Sequence, residues 1–317
     1  MRSILVESTS VMERAAFVNR DRCIACGDAD LRELSSGSFG ADPVRSILEG
    51  ESWGVHPLPL IEHERWQFVA CARCGQRFHN RILAPEWMDR LYGEWESQEA
   101  MEAFLASRVT PESKQAHAEV AVGHVLRVLR MTQSLRGGQA LRLLDYGCGW
   151  AEFVAQCRAF GVEASGIDFA PDRQTYAQVP IFESLDAWDA AQEGDARLHA
   201  ATLFQVLEHL VDPRQVLEEL ADRMAPGAAL ILEVPDTSGV TDIQSREDFF
   251  LIAPLGHING FTPQSLRRLA ERCGFVAVQP PAAWVTARWD RALRAAAKRV
   301  LGRFRKPTTH QYFIRRA

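Results

Sequence analysis

The chain lacks a run of about 18 uncharged apolar residues, so no membrane-spanning helix is expected. Met1 to Arg20 lacks a compact apolar stretch ahead of a cleavage site and carries Glu7 and Glu13, so no signal peptide is expected. No internal repeat is present. An even cysteine count is also missing: there are 7 cysteines, and four of them form two C-x-x-C pairs. In a chain expected to be cytoplasmic, that usage points to metal binding rather than to a disulfide framework. An overall basic charge is absent, since the formal net charge is −5. Binding of nucleic acid by the whole protein is therefore not expected.

What is present is a soluble globular composition, 47% hydrophobic and 24% charged, over 317 residues, enough for about two domains. Charge is uneven along the chain. Residues 288–316 hold ten Arg or Lys against one acid, Asp290, a net of +9, which leaves −14 for the remainder. A short basic segment on an acidic body points to a local anionic partner.

Three zones follow. Residues 1–95 read as an irregular module with weak periodicity, too small to build a large core of its own. Residues 96–138 form a linker region. Its helix is expected over 111–136, capped by Thr110, started by Pro111 and ended by Gly137-Gly138. Ala118, Val122, Val125, Leu126 and Leu129 would make its apolar face. Residues 139–317 alternate strand and helix patterns. Strands are expected at Leu141–Tyr146, Glu163–Phe169, Val179–Phe182, Ala200–Val206, Ala228–Val234, Phe275–Gln279 and Gln311–Arg315. Asp212-Pro213 and Thr262-Pro263 start helices, and Pro226-Gly227 and Gly274 follow them. Such alternation predicts an α/β fold, a mostly parallel sheet with helices on both faces.

The richest stretch is Leu143-Leu144-Asp145-Tyr146-Gly147-Cys148-Gly149-Trp150-Ala151-Glu152. An apolar strand ends in a glycine turn and passes at once into a helix, which exposes backbone N–H groups to a cofactor. The spacing is D-x-G-x-G, not the G-x-G-x-x-G of nicotinamide enzymes, and it points to S-adenosylmethionine. By itself the turn also fits other nucleotide-binding folds. Three further signals come in order. Gly166-Ile167-Asp168-Phe169 ends the next strand with an acid placed to accept from ribose hydroxyls. Gln205-Val206-Leu207-Glu208-His209 closes the fourth strand. Pro226-Gly227 turns into the fifth.

On these motifs, residues 141–317 resemble the class I S-adenosylmethionine-dependent methyltransferases, in particular the group with the ubiquinone-biosynthesis and sugar methyltransferases. The resemblance implies a Rossmann-like seven-stranded sheet with its last strand antiparallel. It also implies a cofactor held by Asp145, Tyr146, Gly147, Cys148, Gly149, Trp150, Asp168, Phe169, Ser184, Leu185, Gln205 and Val206. Ala151 stands where many members carry a third glycine. Methyl transfer needs an acceptor aligned with an already electrophilic carbon and, where required, a base, so no nucleophile triad is expected.

Cys23-Ile24-Ala25-Cys26-Gly27 and Cys71-Ala72-Arg73-Cys74-Gly75 are matching knuckles. Four thiolates from Cys23, Cys26, Cys71 and Cys74 would close a tetrahedral structural site for zinc, with iron the other option. Cys148, Cys157 and Cys273 read as small buried residues. A two-knuckle module, the link Leu91-Tyr92-Gly93-Glu94-Trp95 and then the cofactor domain resemble the sugar C-methyltransferases. Those enzymes carry a further C-terminal domain.

In the sugar enzymes a Glu-His pair precedes an aromatic and a Phe, and the histidine is the proposed base. Here the segment is Gly256-His257-Ile258-Asn259-Gly260-Phe261, so His257 falls on that histidine while Gly256 and Gly260 replace its neighbours. The alternative role is structural, within the loop or at the next helix. Glu208 and His209 form a second candidate pair. In quinone O-methyltransferases, acids and a histidine here hold a divalent metal, whereas here Gln205 replaces the first acid. The long connection 236–254 is expected to shape the acceptor pocket.

The expected acceptor is a small molecule, a sugar on a nucleotide or lipid carrier, with a quinone or phenol as the alternative. A non-catalytic zinc- and cofactor-binding interaction protein is the reading from a different class. A basic helical insertion is expected over 280–309. Trp289, Leu293, Ala296, Val300 and Phe304 form an apolar stripe among basic residues. It reads as a packed helix, as a peripheral contact with an anionic membrane through 284–306, or as a clamp for a phosphate-bearing acceptor.

Overall fold

Short apolar strands, each closed by a turn and followed by a capped helix, dictate the architecture of the C-terminal part. The computed structural model describes residues 14–96, 110–135, 140–170, 178–192, 197–283, 285–286, 293, 297 and 309–317. Most of the basic insertion, including Trp289, Ala296, Val300 and Phe304, lies outside the described residues. Among those described, no helix is long and apolar enough to cross a membrane.

The N-terminal segment is more regular than its periodicity predicts. It contains β1 (Phe17–Asn19), β2 (Leu31–Ser38), α1 (Val44–Glu49), α2 (Leu58–Ile61), β3 (Arg65–Cys71), β4 (Arg77–His79), β5 (Arg81–Leu83) and α3 (Pro85–Arg90), which continues as a π-helical turn over Leu91–Trp95. Its core is substantial: Phe39, Trp66, Phe68, Leu91 and Trp95 are buried together with Phe249, Ile252 and Ile258 from far along the chain. Part of that apolar filling is supplied by a distant segment, and the end of β3 is buried on both faces. Period-two alternation is therefore lost locally, although a sheet forms.

A capping box of Thr110 and Ser113 starts α4 (Pro111–Met131). The helix stops at Met131, before Gly137-Gly138, which lie outside the described residues; the Thr132 hydroxyl donates to the Val128 carbonyl at 2.8 Å in its last turn. The buried face is Gly123, His124, Val125 and Val128, while Ala118 is exposed. The face is rotated from the predicted one because His124 is buried, stacked on His310.

The remaining elements are β6 (Arg142–Tyr146), α5 (Glu152–Ala159), β7 (Glu163–Ile167), β8 (Ile181–Phe182), α6 (Leu185–Ala190), β9 (Leu198–Phe204), α7 (Pro213–Arg223), β10 (Met224–Glu233), α8 (Arg246–Leu251), β11 (Asn259–Gly260), α9 (Pro263–Arg272), β12 (Phe275–Val278) and β13 (Gln311–Arg315). The 7-stranded sheet runs β12-β13-β10-β9-β6-β7-β8, with β13 antiparallel to both neighbours. Strand order reverses at β6, whose neighbours are β7 and β9. That reversal opens a crevice beyond the carboxyl ends of the strands. The fold class is as the sequence predicts. β9 is displaced from its expected span, because Gln205 adopts φ 56° and leaves the sheet. β10 starts early, since Met224 already pairs with Leu198 and Pro226-Gly227 form an irregularity inside the strand.

β11 was not expected. It belongs to the other sheet, ordered β11-β4-β3-β2, through Asn259–Phe78 and Gly260–Arg77 pairs. Two residues from the C-terminal part thus extend the N-terminal sheet. Cys23, Cys71 and Cys74 also share one core with Leu266 and Leu269 of α9.

Candidate functional site

Two groups of residues meet at the carboxyl edge of the large sheet. The first is backbone-built. Gly147 has φ 73°, and a Cβ there would run into the Val206 side chain, so both conformation and space require glycine. Its N–H and that of Cys148 donate to the Ile167 carbonyl at 2.8 and 2.9 Å, tying the turn to the end of β7. Asp168 sits opposite. Its Oδ2 accepts from Gly149 N at 2.9 Å and its Oδ1 from Ala170 N at 3.1 Å. Ala151 holds φ 56° at the start of α5, a left-handed conformation that explains why glycine suits this position and that costs roughly 1–2 kcal/mol for alanine. Beneath the turn, Asp145 is buried and accepts from the Thr202 hydroxyl at 2.6 Å. Burial, with some contribution from Asp168, raises its pKa to about 7.

The other expected cofactor residues line the same edge. Trp150 and Phe169 are 43% and 61% exposed, large aromatics that a ligand could cover. Phe169 meets Tyr146 edge-on at 6.0 Å. Ser184 accepts from Ala187 N and caps α6, and Leu185 is buried behind it. Gln205 anchors to Glu233 through its backbone N–H at 2.8 Å and its side-chain amide at 3.2 Å.

The second group is built from side chains. Glu208 and His209 occupy the turn after β9, and His257 lies in the loop before β11. The His209 and His257 rings meet edge-on at 4.8 Å, and one ligating atom from each of Glu208, His209 and His257 lies within 4.8 Å of the others. Glu208 is 1% exposed, and among the described residues neither of its carboxylate oxygens has a hydrogen-bond partner and His257 Nδ1 has none either. Buried polar atoms are normally satisfied, so these three mark a place for a ligand, ion or water. Burial pushes the Glu208 carboxyl up to about 8, so it carries a proton near neutrality. Burial lowers His209 to about 3 and lowers His257 as well, so both imidazoles are neutral there. A neutral imidazole with an open nitrogen is a proton acceptor or a metal ligand.

Sequence reasoning missed two members of this group. Tyr92, on the π-helical turn, places its hydroxyl 3.1 Å from His209 Nδ1. Glu96 is raised to about 7 by burial and approaches the backbone at Gly256. The only signal was the aromatic link at 91–95, whose role depends on how two distant segments dock.

The cysteine knuckles match as expected: Gly27 and Gly75 have φ of 72° and 75°. Cys23 Sγ lies 3.5 Å from Cys74 Sγ, and Cys26 Sγ 3.6 Å from Cys71 Sγ. Four sulfurs about 2.3 Å from one ion would lie roughly 3.8 Å apart, so the group has the size of a tetrahedral site. A proton shared between neighbours holds the Cys74 thiol down to about 5 and raises Cys23. His124, Glu233 and His310 form a third group of ligand types. There the two imidazoles stack 4.5 Å apart at 28°, so their in-plane lone pairs do not converge on one ion.

The family model described as "Methyltransferase domain" matches residues 101–279, more than half of the chain. The ubiquinone biosynthesis O-methyltransferase of Xanthomonas campestris pv. campestris (strain B100) is 29% identical over 99 residues, 29% of this chain and 41% of that protein. That of Alkalilimnicola ehrlichii is 27% identical over 114 residues, 33% and 46% respectively. The match thus spans less than half the length of these curated relatives. A SAM-dependent methyltransferase structure from Archaeoglobus fulgidus is similar at 20% identity and TM-score 0.38, covering 60% of this chain and 90% of that one.

Proposed function

Since the chain belongs to the methyltransferase-domain family, we propose that it transfers a methyl group from S-adenosylmethionine to a small-molecule acceptor. One observation carries the reading: a glycine turn faced by Asp168 lies at the same sheet edge as buried Glu208 and half-buried His257, whose atoms have no partner among the described residues. Bound S-adenosylmethionine would supply an electrophilic methyl carbon. The residues at 145–150, with Asp168, Phe169, Ser184, Leu185, Gln205 and Val206, would hold it, Asp168 accepting from the ribose hydroxyls and Trp150 covering the methionine end. His257 Nδ1 takes the acceptor proton. Neutral Glu208 can donate a hydrogen bond to the acceptor, and His209 is oriented by Tyr92.

The acceptor we favour is a sugar on a nucleotide or lipid carrier; the knuckle module preceding the cofactor domain supports it. The four cysteines would hold a structural zinc ion whose role is to fix β4 against β11. A second reading is favoured by the convergence of Glu208, His209 and His257 within 4.8 Å: a divalent cation bound there, with O-methylation of a quinone or phenol.

A thermal-shift screen separates these readings. Protein saturated with S-adenosylhomocysteine is tested against nucleotide sugars, quinols and phenols, with and without Mg²⁺. A ligand at 100 times its Kd adds about 2.7 kcal/mol. A nucleotide-sugar hit supports the first acceptor class, and a Mg²⁺-dependent phenol hit supports the second. If S-adenosylhomocysteine itself produces no shift, methyl transfer is the wrong reading.

A further inference from the structure

Arg20 is a half-buried cation with Asp212 nearby but no carboxylate in hydrogen-bond contact among the described residues. Among the described residues its acceptors are all neutral oxygens. Nε and Nη2 donate to the His79 carbonyl at 3.0 and 2.5 Å, and Nη2 also to the Ile258 carbonyl at 2.7 Å. Nη1 donates to Asn259 Oδ1 at 2.9 Å and reaches the Val211 carbonyl at 3.4 Å. The guanidinium lies over the Phe78 ring at 5.1 Å. Holding the guanidinium partly out of water is costly even with Asp212 nearby.

The acceptors show what the cost secures. Ile258 and Asn259 directly follow His257. Asn259 in turn donates from Nδ2 to the Leu207 and Leu210 carbonyls at 2.8 and 2.6 Å, and from its backbone to the Glu208 carbonyl at 3.0 Å. His79, the third anchor, has its Nε2 2.8 Å from the Ile252 carbonyl. Arg20 therefore joins both segments that carry the unsatisfied Glu208 and His257 atoms, and joins them to β4. A planar fork reaches these four separate carbonyl and amide oxygens at once; a lysine ammonium is a point donor on a flexible stem.

We propose that Arg20 is a positioning residue for the acceptor site, its guanidinium locking the His257 loop and the Glu208–His209 turn into one geometry. The assignment rests on the reading of His257 as the proton acceptor. In that geometry His257 lies beside the backbone carbonyls of Phe250 and Leu251, and its Nδ1 has no partner among the described residues. A loop held in that geometry keeps Nε2 beside those carbonyls, and a single Nε2–H tautomer is the expected outcome.

The test reads that tautomer in full-length protein labelled with ¹⁵N-histidine, the His257 signals being assigned with His257→Gln. In the wild type the two ring nitrogens should show the well-separated shifts of one tautomer. In Arg20→Lys and Arg20→Gly they should move toward the average of both. S-adenosylhomocysteine affinity, read by calorimetry, should stay within about twofold, because no Arg20 contact touches the glycine turn. Free guanidinium should restore the separated shifts in Arg20→Gly, and methylammonium at equal concentration should not. Unchanged shifts in Arg20→Lys, or equal restoration by both cations, overturn the proposal. If neither Arg20 variant binds S-adenosylhomocysteine, Asn259→Ala carries the same readout, removing the Arg20 acceptor together with the two Nδ2 bonds to Leu207 and Leu210; retained separation there also overturns it. A wild type that fails to bind S-adenosylhomocysteine defeats the methyl-transfer reading, a result distinct from any tautomer outcome.

Discussion

The glycine turn and the Glu208–His257 cluster sit at one sheet edge but are built in opposite ways. The turn comes from one contiguous stretch plus Asp168, and its parts are largely backbone: Gly147, Cys148 and Gly149 N–H groups on Ile167 and Asp168. The cluster comes from side chains on the turn after β9, the loop before β11 and the π-helical turn of the N-terminal segment. The first is stable as local geometry. The second exists only while β11 pairs with β4 and the cysteine knuckles hold their place. A cofactor common to many enzymes can be met by a local motif. A particular acceptor needs a pocket that another segment can reshape.

Breaking the knuckles should separate the two regions most violently. Cys26→Ser with Cys71→Ser should abolish zinc binding, elemental analysis being expected to give one ion per wild-type chain and none in the variant. It should also lower stability by on the order of 5 kcal/mol, a Tm fall of roughly 10 °C or more by calorimetry. Wild-type protein purified without metal contradicts the zinc assignment. A narrower break is His257→Gln, which should slow turnover on the order of 100-fold with an identified acceptor while leaving S-adenosylhomocysteine affinity within about twofold. Full activity removes His257 as the base. Asp168→Ala should do the reverse, weakening S-adenosylhomocysteine binding by about 1–3 kcal/mol and leaving the His257 tautomer intact.

The smallest effect concerns pH. The buried Glu208 carboxyl is raised from 4.5 to about 8, so the folded state keeps a proton that the unfolded state has released across that window. Stability should therefore fall as pH rises through it. Glu208→Gln, without added divalent cation, should flatten the Tm difference between about pH 5.5 and 7.5 by a few °C. An unchanged slope means that the carboxyl is not buried uncompensated.

Legibility in the sequence follows the same division. Asp145, Gly147, Gly149 and Asp168 could be read because a strand that turns into a helix writes its requirements within a few residues. The knuckles could be read because two C-x-x-C-G units repeat one geometry. Tyr92, Glu96 and Arg20 could not, because their roles depend on β4 finding β11 more than 170 residues away. Ala151 and Gln205 both adopt positive φ without the glycine that would announce it. The N-terminal sheet was obscured because Phe249, Ile252 and Ile258 complete its core from the far end of the chain.

The most direct measurement is calorimetric titration of S-adenosylhomocysteine into wild-type, His257→Gln and Asp168→Ala proteins. Separable cofactor and acceptor regions predict equal affinity for the first two and a loss of about fivefold or more for the third. Equal affinity in all three proteins, or no binding by the wild type, would contradict a cofactor site built on the glycine turn and Asp168.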